Sequence, residues 1–84
     1  MNATEPQETV LERFLIELAR SRGLDCLDDL HDQLIAAGHG RTAKHLRGYP
    51  AVGFGRDLHD VLCLTEEERE RLGRAFAKTF LSGR

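Results

Sequence analysis

No apolar run in this 84-residue chain is long enough to cross a membrane. Its opening residues, Met1-Asn2-Ala3-Thr4-Glu5, lack a basic region followed by an apolar one. Both absences point to a cytoplasmic protein. Only two cysteines are present, Cys26 and Cys63, so a disulfide framework of the secreted type is excluded. Their plain reading is as small buried hydrophobes in a reducing compartment. A zinc site would need four convergent ligands. His59 and Cys63 share a helix face, but Cys26 and His31 diverge, and the spacing matches no known zinc module. No metal and no cofactor are therefore expected. No long strand-like alternation occurs, and no glycine-rich phosphate loop follows a strand. Gly53-Phe54-Gly55 is too weak a pattern for a nucleotide site. Acids and histidines such as Asp28, His31, His59 and Asp60 are explained more simply as exposed helix residues than as an acid–base site. No enzyme is expected.

One further absence is the most informative. Between Asp32 and Asp57 there is no acidic residue, while Arg41, Lys44, Arg47 and Arg56 stand there with His39 and His45. The formal charge of the chain is −2, but this window carries +4, leaving 8 basic against 14 acidic residues elsewhere. Such segregation presents a positive surface on an acidic body, and its usual partners are phosphates or an acidic protein face.

What is present is helical periodicity. At this length one domain is expected, over residues 8–82 behind a polar, disordered tail of residues 1–7. Val10, Leu11, Phe14, Leu15 and Leu18 form one apolar stripe on a helix over about residues 8–22, stopped by Gly23. Asp25 is the expected cap of a second helix with Leu27, Leu30, Leu34 and Ile35 inward, ending at Ala36-Ala37-Gly38. Residues 41–47 read as a short basic helix closed by Gly48, which only packing can hold. A connector over residues 49–55 leads to a fourth short helix at about residues 55–63. Thr65-Glu66-Glu67-Glu68 is a capping box that opens a last helix running to Leu81. The expected architecture is all-α, five helices in a single compact domain.

Several segments together resemble the phage-repressor and Cro type of helix-turn-helix domain. They are Leu27-Asp28-Asp29-Leu30, Ala37-Gly38-His39, Leu46-Arg47-Gly48, and the run from Asp57 through Leu64-Thr65-Glu66-Glu67-Glu68-Arg69 to Leu72. The resemblance spans about residues 10–76. It implies a bracing helix, a recognition helix and a scaffold behind them. It also implies a DNA-binding transcriptional regulator, repressor-like, acting on double-stranded DNA as a homodimer. The recognition segment is about one turn short of the family pattern. On this reading Arg41, Thr42, Lys44, His45 and Arg47 face the major groove, with Tyr49 and Arg56 beside them. Thr42 can equally cap its helix, and Tyr49 can equally pack its ring on the core. Phe80 and Leu81 are candidates for a dimer contact or for local burial. The alternative is a protein-interaction module on a degenerate version of the same fold, holding an acidic partner.

Overall fold

Among the described residues the apolar stripes close on one another in a five-helix arrangement. The order is α1 (Val10–Ser21), α2 (Leu27–Ala36), α3 (Gly40–Lys44), α4 (Phe54–Leu62) and α5 (Glu66–Phe80). This computed structural model describes residues 9–47, 49–50 and 52–81. The expected tail over residues 1–7, the stop at Gly48 and the end at residue 82 lie outside the described residues. Among the described residues there is no strand, and no helix is long and apolar enough to cross a membrane. The all-α, compact expectation holds.

α1 and α5 form the antiparallel outer pair, and α2 packs on α1, α3 and α4. Leu11, Leu15, Leu30, Leu34 and Leu58 are at most 1% exposed and make the centre of the core. Both outer helices start with the same device. Thr65 accepts a hydrogen bond from the Glu68 amide while Glu68 accepts from the Thr65 amide, and Thr9 and Glu12 repeat the arrangement at α1. The second box was not anticipated, although Thr9-x-x-Glu12 is its sequence signature.

α1 and α2 also end alike. Gly23 (φ +85°) and Gly38 (φ +87°) take the left-handed conformation. Behind them Leu24 N–H donates to Ala19 and His39 N–H donates to Leu34, the six-to-one bond that closes a helix C-terminus. The second closure delivers the chain straight into α3.

Four expectations need correction here, the first being Ile35, which is exposed rather than part of the inner face of α2. The cap of α2 is Cys26 with no side-chain bond, and the Asp25 amide instead donates to the Asp29 carboxylate at 2.9 Å. Both cysteines are exposed, because each sits at a helix boundary rather than on an inner stripe. The basic helix is shorter than residues 41–47: α3 ends at Lys44, and residues 45–47 are a turn. That turn carries Leu46, 2% exposed, into the core.

Arg22 ties the scaffold together. It stands just past α1, and both its terminal nitrogens meet the Glu68 carboxylate at 2.7 Å. Its Nε and Nη2 also donate to the carbonyls of Leu62 and Cys63 at the end of α4, and Nη1 to the Ser21 hydroxyl. One guanidinium thus joins the end of α1, the end of α4 and the start of α5. Cys63 holds the tight link between α4 and α5 at φ 54°, a left-handed conformation unusual for a residue with a side chain. The Arg22 hydrogen bonds, with help from the Thr65 amide, lower the Glu68 carboxyl to about 2.

Candidate nucleic-acid interface

α3 is only five residues long, so its position is set by what it buries. Ala43 and Leu46 enter the core at 3% and 2% exposure. Thr42, 1% exposed, donates its hydroxyl to the Asp57 carboxylate of α4 at 2.5 Å. His39, the residue before α3, spends its ring on the same helix. Nε2 lies 2.7 Å from Asp60, and Nδ1 lies 3.4 Å from Asp57. Two carboxylates of α4 therefore pin both ends of the first turn of α3.

These contacts change the meaning of the acid-free window. It is free of acids in sequence but not in space, because α4 brings Asp57 and Asp60 to it and α2 brings Asp28. The carboxylates do not reach every cation. Arg47 lies 3.3 Å from Asp28, a pair exposed on both sides. Arg41 and Lys44 are exposed, three residues apart on one side of α3, and make no ion pair among the described residues. His45 is exposed beside them.

Arg56 is exposed and pairs with neither Asp57 nor Asp60. It folds back over Gly53, where its guanidinium would stand 3.2 Å from an added Cβ. Gly53 (φ +84°) makes the left-handed turn into α4, so a side chain there would meet strain and Arg56 together.

Two candidate residues do not belong to the outward face of α3. Thr42 is buried and committed to Asp57, so it neither caps α3 nor reaches a surface ligand. Tyr49 sets its ring against Phe80 at 4.7 Å and Phe76 at 5.8 Å between centroids, while remaining 64% exposed. It belongs to an aromatic group at the end of α5. Phe80 is half-buried in that group and Leu81 is exposed just beyond it. Among the described residues, no three His, Cys, Asp or Glu side chains gather in a way that could hold a metal ion.

A second cationic region was not foreseen. An open groove of about 290 Å³ runs between α1 and α5, lined by Arg13, Arg71, Arg74, Lys78 and one acid, Glu17, over an apolar floor of Val10, Phe14 and Ala75. Arg71 stands 5.3 Å over the Phe14 ring. Its carboxylate contact to Glu17 is long, 3.8 Å, as is that of Arg74 to Glu70, 3.7 Å. The signal in the sequence is the spacing of residues 71, 74 and 78 along one helix flank. Four glutamates in the same helix mask it when charges are counted by segment.

Comparison of the chain with protein-family models, with curated proteins and with solved structures gives no match.

Proposed function

We propose that the chain is a small DNA-binding regulator that meets double-stranded DNA with the outward side of α3. One observation carries this reading. Among the described residues Arg41 and Lys44 stand exposed without carboxylate partners, while the Asp57 and Asp60 carboxylates brought to α3 are occupied by Thr42 and His39. A cationic pair held on a pinned helix suits phosphates, and Arg56, His45 and a released Arg47 extend the same chemistry. The pair Arg47–Asp28 is exposed on both sides, so a phosphate replaces the carboxylate at small cost.

The length of α3 limits base reading. Five residues rise about 7.5 Å, so phosphate contacts supply most of the affinity and base contacts are few. Fluorescence anisotropy with mixed-sequence duplex at low salt tests the reading. Binding that weakens steeply with salt, and that Arg41→Glu with Lys44→Glu removes, supports it. Absence of duplex affinity at low salt defeats it.

The α1–α5 groove favours a second reading, a protein-interaction module. Four cations around an apolar floor suit an acidic amphipathic helix, whose carboxylates meet the rim while its apolar residues cover Val10. Calorimetry with an acidic helical peptide separates the two. On this reading Arg71→Glu with Arg74→Glu removes binding, and substitutions at Arg41 and Lys44 leave it intact.

A further inference from the structure

Between the start of α4 and the middle of α5 lies an open, mostly apolar groove of about 450 Å³. Phe54 and Leu72, both buried, fix its floor, and Phe76 and the 91% exposed Val52 border it. Its size is that of small-molecule sites, which combine an apolar lining with a few placed polar groups.

Gly73 opens the middle of this groove. It is the midpoint of the fifteen-residue α5 and lines the groove, and an added Cβ there would meet nothing within 4 Å. Glycine is a poor helix former beside alanine, and no contact among the described residues requires one here. Its effect is room, since no side chain of α5 fills the groove at its centre.

The polar element is Arg69, which lines the groove, is exposed and makes no ion pair among the described residues. Of the acids beside it in α5, Glu68 is bound by Arg22 and Glu70 faces Arg74. Arg56 adds positive field at the edge, its guanidinium folded over Gly53 between the lining residues Val52 and Phe54. Asp57 and Asp60, the acids that follow Arg56 in α4, are engaged by Thr42 and His39. Arg69 precedes Phe76 by about two turns of α5, so cation and ring stand roughly 10.5 Å apart along the axis. The groove is thus charged at one end and aromatic at the other.

We infer that this groove binds a small organic anion, a monocarboxylic acid with an apolar body. Its carboxylate meets Arg69, and its body lies over Gly73 towards Phe76. A single lining cation matches a single negative charge, and a guanidinium can offer a carboxylate two parallel N–H donors. The body removes Val52, Leu72 and Phe76 from water. This inference does not depend on what α3 binds.

Amide NMR of the full chain, titrated with octanoate and separately with octanol, tests it. The expected result is saturable shifts at Arg69, Gly73 and Phe76 with octanoate, and binding at least about tenfold weaker with octanol. Arg69→Gln removes that preference. Gly73→Leu keeps the fold by circular dichroism, since its side chain enters the groove, and blocks both probes. Absence of saturable shifts overturns the inference. So does equal affinity for the two probes, a preference that survives Arg69→Gln, or a Gly73→Leu chain that still takes octanoate. Shifts centred on Arg13 and Arg71 overturn it by giving octanoate to the α1–α5 groove. Shifts at Gly73 and Phe76 that follow protein concentration and not octanoate overturn it by giving this groove to a second copy.

Discussion

The molecule has two cationic regions, and they arise in opposite ways. The region at α3 is conspicuous as a stretch of sequence without acids, yet folding brings Asp28, Asp57 and Asp60 into it. The groove between α1 and α5 is invisible as a stretch of sequence, yet folding brings Arg13, Arg71, Arg74 and Lys78 together. A charge run in a chain is therefore a poor measure of a charged surface. What counts is which carboxylates packing delivers and whether they are already occupied. At α3, Thr42 and His39 occupy two of them and leave Arg41 and Lys44 to solvent. In the groove the acids lie at 3.7 and 3.8 Å from their arginines, contacts that water and salt readily replace.

The sharpest way to separate the regions is to reverse the charge of each in turn. Arg41→Glu with Lys44→Glu should lower duplex affinity by at least about a hundredfold at low salt, and Arg71→Glu with Arg74→Glu should change it far less. Anisotropy titrations of both double variants at equal ionic strength measure the contrast. Equal losses would mean that net charge governs binding and that the position of α3 is irrelevant.

A second break targets what holds α3 in place. Thr42→Val removes the hydroxyl from Asp57 and leaves a half-buried carboxylate short of a donor, a cost of about 1–3 kcal/mol. Urea unfolding should register the loss. Any duplex affinity should fall as well, although residue 42 is not on the outer face. The matched change Thr42→Val with Asp57→Asn removes the charge along with the donor and should recover part of the stability.

Arg22 and Glu68 supply the pH dependence. The Glu68 carboxyl titrates at about 2 in the fold, below its ordinary value of 4.5, chiefly because Arg22 bonds the charged form. A lowered folded value stabilises the protein above the ordinary value and gives that stability up as pH falls from about 4.5 towards 2. Glu68→Gln should cost about 1–2 kcal/mol near neutral pH, and the difference from wild type should vanish across that acid window. Thermal melts from pH 2 to 7 check both parts.

The smallest effect should come from the pair Arg47–Asp28. Both side chains are more than half exposed, so Asp28→Asn should change stability by no more than about 0.5 kcal/mol. If Arg47 serves a phosphate, the same substitution should raise duplex affinity slightly by freeing it. A titration alongside the wild type at low salt would show this.

Much of the scaffold was legible in the residues. The three- and four-residue spacing of apolar residues located the stripes of α1, α2, α4 and α5, because a helix that buries one stripe must repeat it at 3.6 residues. Thr65-x-x-Glu68 named its own cap, and Gly23 and Gly38 marked their turns. What escaped were contacts between residues far apart in the chain. Thr42 meets Asp57 fifteen positions on, and Arg22 meets Glu68 across forty-six. Thr42 looked like a surface residue because its polarity said so, and only the approach of α4 shows that its hydroxyl is paired inside. The length of α3 was misjudged for a similar reason: Leu46 suits a helix, but the pull of the core takes it out of one.

Local spacing and capping chemistry alone determined that this chain is helical, roughly where its helices lie, and which leucines of α1 and α2 turn inward. Those properties depend on neighbours within four residues, and the sequence contains all of them. Which cations stay free, which carboxylates are already engaged, and where the apolar flank of α5 is left open were decided by tertiary structure. Charge and burial are set by what lies near in space, and five helices can bring together residues that no local pattern connects.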